Sequence, residues 1–232
     1  MANDQTAKVA WQPGDVPVAA RFDEAYFSRE NGLAETRHTF LAGNDLPARL
    51  RDGFHVAELG FGTGLNMLAL AAAWQEARDS TGQGRARVRF TSFEAWPMSG
   101  ADIARALAPF DALDALARPF LAAWAQGARR FAIGGLDVEV IIGDVAQTLP
   151  AWPDQADAWF LDGFSPAKNP EMWSEVLLRE VGAHTAPSGS FATFTAAGHV
   201  RRALAAAGFA VERRAGYGRK RHMSIGRLAN AR

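Results

Sequence analysis

Val56-Ala57-Glu58-Leu59-Gly60-Phe61-Gly62-Thr63-Gly64-Leu65-Asn66 reads as a strand that ends, a turn built on three alternate glycines, and a helix that begins. Glycines there let the backbone pass close to a ligand, and the N–H groups opening the helix point at it. Dinucleotide-binding turns space their glycines G-x-G-x-x-G. Here the spacing is G-x-G-x-G, with an acid, Glu58, two residues before the first glycine. A dianionic pyrophosphate disfavours a neighbouring carboxylate. S-adenosylmethionine carries a sulfonium, an ammonium and a single carboxylate, so it tolerates or uses one. The turn therefore tilts toward that ligand, with a nucleotide-dependent oxidoreductase as the alternative.

Outward from this turn, short β-rich runs alternate with longer Ala/Leu-rich helical stretches, the pattern of an α/β protein with a parallel sheet wrapped by helices. Strands are expected over 55–59, 88–93, 158–161, 190–195, 209–213 and 222–228, and helices over 65–78, after Ser99, and over 112–124, 170–183 and 199–207. Gly134-Gly135 between 131–133 and 136–142 predicts a β-hairpin, because paired glycines supply the positive φ angles of a tight turn. Residues 1–50 show little periodicity and hold turn formers such as Pro13-Gly14 and Asn31-Gly32. They read as an extension with one or two short helices that packs on a domain spanning 51–232.

The 232 residues, 48% of them apolar, suffice for a sizeable core. There is no cysteine, which excludes disulfides, thiolate metal sites and a cysteine nucleophile. No apolar run approaches the ~18 residues of a membrane span, and residues 1–15 lack a signal pattern, so the expected location is cytoplasmic. The five histidines show no metal-ligand spacing, and no metal is expected. Net charge is zero, yet from Arg201 onward nine basic residues face one acid, Glu212. Such a tail suits a polyanion such as RNA, or is a solvated surface in an arginine-rich chain.

Ligands of open α/β sheets sit outside the carboxyl ends of the strands. Three acids fall there. Glu94 can accept both hydroxyls of an adenosine ribose, Asp144 stands where it could meet the adenine amino group, and Asp162 ends the following strand. Singly, each could be only a turn-forming or capping acid.

Asp162-Gly-Phe-Ser-Pro-Ala-Lys168-Asn-Pro170-Glu-Met-Trp173 narrows the field. With Gly60–Asn66, Tyr26-Phe-Ser, Gly32-Leu-Ala-Glu-Thr-Arg37, Ala192–Gly198 and Gly218-Arg-Lys-Arg-His-Met223, the chain resembles the methyltransferase half of the MnmC family from about residue 11 to about residue 228. The resemblance implies a class I S-adenosylmethionine-dependent methyltransferase: a Rossmann-like, mostly parallel seven-stranded sheet with an N-terminal extension and a small inserted hairpin. It implies methylation of the 5-aminomethyl group of 5-aminomethyl-2-thiouridine at the tRNA wobble position, after an FAD-dependent oxidase, domain or separate protein, has exposed that amine. The 232 residues leave no room for a second nucleotide-binding domain. A non-catalytic RNA-binding module on the same fold is the other alternative.

An ammonium cannot attack a methyl group, so the site needs positioning and a proton acceptor. Asp162 is the candidate acceptor. Glu58, Gly60, Gly62, Gly64, Asn66, Glu94 and Asp144 are the candidate cofactor residues. Phe164 either stacks on the uracil or is a core aromatic. Lys168 either contacts phosphate or pairs with Glu171. Arg219, Lys220 and Arg221, in the loop between the last two strands, are expected to contact the tRNA backbone. Tyr26, Glu35, Arg37 and Asn44 fall in family-like stretches that could close over the methionine end of the cofactor; Tyr26 has a packing role as its alternative.

Overall fold

The computed structural model describes residues 6–28, 31–82 and 84–229. In chain order the strands and helices are β1 (Val9–Gln12), β2 (Val16–Ala19), β3 (Glu24–Ala25), α1 (Gly32–Thr36), β4 (His55–Leu59), α2 (Leu65–Thr81), β5 (Val88–Glu94), α3 (Gly100–Leu107), α4 (Asp114–Ala125), β6 (Arg130–Ile133), β7 (Leu136–Ile142), α5 (Val145–Thr148), β8 (Ala156–Leu161), α6 (Glu175–Ala183), β9 (Thr185–Thr193), α7 (Gly198–Ala206), β10 (Phe209–Ala215) and β11 (His222–Leu228).

Eight strands form the central sheet in the order β10-β11-β9-β8-β4-β5-β7-β6. The inner pairs β4–β5, β4–β8, β5–β7 and β8–β9 are parallel, while β6, β10 and β11 join antiparallel. The seven expected strands are present. The eighth, β6, is the first arm of the expected hairpin: Gly134 and Gly135 turn at φ +55° and +85°, and the arm extends the sheet at its edge.

Strand alternation sorts the core onto two faces. Val56, Phe90, Ala158 and Phe160 face a cluster completed by Leu68 of α2, Phe120 and Trp124 of α4, and Leu33, Phe40 and Leu41 from residues 32–41. Ala57, Leu59, Trp159, Leu161 and Phe191 face Leu177, Leu178 and Val181 of α6 and Val200 and Leu204 of α7. Both faces are covered, so the inner strands read as near-continuous apolar runs.

Two departures from the sequence reading have local causes. The extension holds a three-stranded antiparallel sheet, β1-β2-β3, where only helices were expected. Its strands are two to four residues long and β2 carries Pro17, so no alternation signals them. The sheet docks on α3, where Arg105 pairs with Asp15 and lies 4.1 Å from the centre of the Trp11 ring. The helix expected over 170–183 is interrupted. A 3-10 turn spans Pro170–Trp173, then Ser174 goes extended and its side chain accepts from Leu177 N to start α6.

Candidate active site

At the carboxyl ends of β4, β5 and β8 opens a cavity of about 1570 Å³, walled by the glycine turn, by Glu94 and Asp162, by residues 19–22 and 24–28 of the extension, and by Tyr217, Arg219 and Lys220. A pocket for one small molecule occupies roughly 300–1,000 Å³, so this one has room for two ligands side by side.

The turn is built as its glycines require. Gly60, Gly62 and Gly64 all lie at positive φ, +89°, +52° and +75°. A Cβ on Gly60 would sit 2.9 Å from the Asp162 carbonyl oxygen, and one on Gly62 would sit 3.1 Å from the Tyr26 ring. Gly64 caps α2 without any side-chain acceptor, leaving its first N–H groups to a ligand. Gly62 N donates to Glu94 Oε2 at 3.0 Å and Trp96 N donates to Oε1 at 2.7 Å. Both Glu94 oxygens are thus fixed by backbone N–H groups, with the residue on the cavity wall. Burial pushes the Glu94 carboxyl above its usual range, and the N–H groups of Gly62, Trp96, Phe61 and Ala95 oppose that.

Asn66, in the first turn of α2, connects the acids. Its Nδ2 donates to Glu58 Oε1 at 2.8 Å and to Asp162 Oδ2 at 2.7 Å, while its Oδ1 accepts from Thr36 Oγ1 at 2.9 Å. Glu58 is 0% exposed, its other oxygen accepts from Ser92 Oγ at 2.7 Å, and it does not line the cavity. The expectation that Glu58 meets the cofactor is therefore corrected: it lies under the floor and acts through Asn66. Burial drives its carboxyl well above the usual range, against the hydrogen bonds from Ser92 and Asn66. Asp162 does line the cavity. Burial raises it to about 6, while Asn66, the charge of Lys220 and Gly163 N pull it down.

The segment after Asp162 is clasped by the extension. Glu24 Oε2 accepts from both Ser165 N, at 3.0 Å, and Ser165 Oγ, at 2.7 Å. Phe164 stacks on Phe22 with ring centres 4.5 Å apart and meets Tyr26 edge-on at 5.3 Å, so one of its faces is already covered. Lys168 does not pair with Glu171: its Nζ donates to the Asp23 carbonyl and lies 3.1 Å from the Asp23 carboxylate. Phe22, Asp23 and Glu24 carry no motif, and sequence reasoning missed them.

Of the other candidates, Asp144 is exposed at the cavity wall and caps α5 by accepting from Ala146 N. Tyr26 and Glu35 line the cavity; Arg37 and Asn44 do not. Asn44 is buried on Phe40 O, Trp159 O and Ser190, a packing role. Arg219 and Lys220 reach the cavity, whereas Arg221 is exposed and outside it. His55 is buried and its imidazole is lowered to about 4 by burial, so it stays neutral at physiological pH. Among the described residues no cluster of three potential metal ligands occurs, and no helix is long and apolar enough to cross a membrane.

Residues 110–229 match a family model described as S-adenosyl-L-methionine-dependent methyltransferase. The chain is 47% identical over 229 residues to the tRNA 5-methylaminomethyl-2-thiouridine biosynthesis bifunctional protein MnmC of Caulobacter sp. (strain K31), an alignment covering 95% of this chain and 38% of that protein. It is 44% identical to the protein of the same name from Aeromonas hydrophila, covering 96% and 35%. The chain thus spans a little over a third of the length of these curated relatives. Among solved structures, the crystal structure of MNMC2 from Aquifex Aeolicus matches with a TM-score of 0.73 at 22% identity, over 99% of this chain and 73% of that one. Precorrin-6y C5,15-methyltransferase from Geobacter metallireducens GS-15 matches at 0.51 and 13% identity, over 95% and 98%. At these identities the two structures speak to the fold alone.

Proposed function

The chain belongs to the S-adenosyl-L-methionine-dependent methyltransferase family, and from that premise we propose that it methylates the 5-aminomethyl group of 5-aminomethyl-2-thiouridine at the tRNA wobble position. The relatives' name supports the substrate. The observation that carries the chemistry is a carboxylate, Asp162, facing the same cavity as a glycine turn whose first Cα packs on its own carbonyl. Family membership also removes the dinucleotide reading of the turn.

The residues present fit the cofactor. Glycines without Cβ atoms, an uncapped helix start for one carboxylate, and the Glu94 carboxylate fixed on the cavity wall suit its three polar ends. Bound S-adenosyl-L-methionine supplies an electrophilic methyl group on a positively charged sulfur. Gly60 and Gly62, on the cavity wall, would give the backbone its close approach, Glu94 would hold the ribose hydroxyls and Asp144 would meet the adenine amino group, while Gly64, off the cavity and against Phe61 and Phe120, shapes the turn. Asn66 fixes the Asp162 carboxylate and Glu58 fixes Asn66. Asp162 accepts a hydrogen bond from the neutral amine and takes up, or passes to water, the proton that appears as the new N–C bond forms. The uncovered side of Phe164 receives the uracil, and Arg219 and Arg221 contact the tRNA backbone. Lys168, bound to Asp23, acts instead by holding the Asp162 segment against the extension. An FAD-dependent oxidase acting upstream, as a domain or a separate protein, is the partner this reading requires, and the cytoplasm is its compartment.

The test is incubation with labelled S-adenosylmethionine and tRNA bearing the free aminomethyl group, followed by nucleoside analysis. Label in the secondary amine is expected; tRNA binding without label favours a non-catalytic RNA-binding module.

A further inference from the structure

The basic loop between β10 and β11 does not act as one patch. Arg221 and Lys220 are both exposed, but Lys220 lays its charge back against the protein: its Nζ lies 2.7 Å from Glu35 Oε1 and 4.3 Å from the centre of the Phe194 ring. Lys220 and Asp162 share the cavity wall. Glu35 is only 8% exposed, deep enough that its charge requires a partner. Glu35 and Thr36 are consecutive residues of α1, and Thr36 holds Asn66, which holds Asp162. One turn of the extension is therefore tied to Asp162 through an amide and also holds the cation that lines the same cavity.

We propose that Lys220 and Glu35 are positioning residues of the reaction site, Lys220 keeping the Asp162 carboxylate ionised and ready for the substrate's proton, and Glu35 holding Lys220 there. The proposal rests on the methyl-transfer reading and takes Lys220 out of the tRNA backbone contacts. A nearby cation favours the charged form of a carboxylate and a nearby anion disfavours it. Both act on Asp162: Lys220 draws it down and Glu35 pushes it up. The charged and titratable groups that share this cavity are Asp162 after β8, Glu94 after β5, Asp144, Glu171, Lys8, Arg21, Glu24 and Tyr26 of the extension, and Tyr217 and Arg219 of the same loop, with Glu58 beneath Asn66.

The two variants should then act in opposite directions. Lys220→Gln removes the cation. Glu35→Gln removes the anion yet leaves an oxygen to accept from Nζ, so Lys220 keeps its place and its whole charge. The measurement is a carbon NMR titration of the Asp162 carboxyl in the full chain without ligands, alongside the pH profile of kcat. A wild-type midpoint near 6 is expected. It should rise by about one pH unit in Lys220→Gln, return in Lys220→Arg and fall in Glu35→Gln, with the acid limb of kcat following. A midpoint that stays put in Lys220→Gln, or moves the same way in both variants, overturns the proposal. Because the titration needs no turnover, midpoints that move as stated in a protein transferring no methyl group would refute the methyl-transfer reading and uphold the charge pair.

Discussion

Asn66 has two N–H groups and two lone pairs, and three of these four positions are spent inside the protein, on Glu58, Asp162 and Thr36. It holds two carboxyls at fixed places while itself lining the cavity. Asn66→Ala should cost about 1–3 kcal/mol in urea denaturation, because two buried acceptors lose their donor. It should also displace the acid limb of the pH–rate profile upward, since the hydrogen bond from Asn66 is one of the forces keeping Asp162 low. Glu94 and Asp162 are legible in the sequence because the end of a strand is a local property. The depth of Glu58 is not, because it arises from Ser92, 34 residues away, and from an amide on the next helix. Lys168 is readable as a cation in a loop, but its partner Asp23 lies 145 residues earlier in a segment with no motif.

At the scale of elements, the glycine turn joins the ends of β4 and β8. Gly60→Ala faces both a positive φ and a Cβ 2.9 Å from the Asp162 carbonyl, whereas Gly53→Ala, at φ +74°, meets nothing within 4 Å. The Gly53 variant should lose about 1 kcal/mol of stability from backbone strain alone. The Gly60 variant should lose about 1–3 kcal/mol and also its thermal stabilisation by S-adenosylhomocysteine, because the ends of two strands must part. Thermal melts with and without that ligand separate the two effects. The turn, the Gly134-Gly135 hairpin and the alternation of strands and helices are readable because each is written within ten or so residues. The β1-β2-β3 sheet is not, since strands of two to four residues have no room for a period, and α1 gains its site residues only by packing across the sheet ends.

For the whole molecule, the neutral net charge conceals a basic stretch from Arg201 that the structure partly neutralises: Arg214 pairs with Glu212, Arg227 with Asp45 and Lys220 with Glu35. Among the described residues Arg221 has no such pair. Arg221→Gln should weaken tRNA binding and lower the slope of log K against log salt by about 1, whereas Lys220→Gln should leave that slope unchanged. Filter binding across a salt series distinguishes them. Fold class was legible at this scale because both faces of the sheet are covered and the inner strands are apolar throughout; which cations stay free was not, because that depends on acids brought in by the fold.

The most direct trial of the central claim is methyl transfer by Asp162→Asn, measured as label from S-adenosylmethionine entering the wobble nucleoside of tRNA under single-turnover conditions with binding followed in parallel. The wild-type chain should form the labelled secondary amine, and the variant should bind the same tRNA with transfer slowed by about 10²–10⁴-fold, the usual worth of a positioned proton acceptor. Transfer by the variant at the wild-type rate, or none by the wild type on tRNA carrying the free amine, would contradict it.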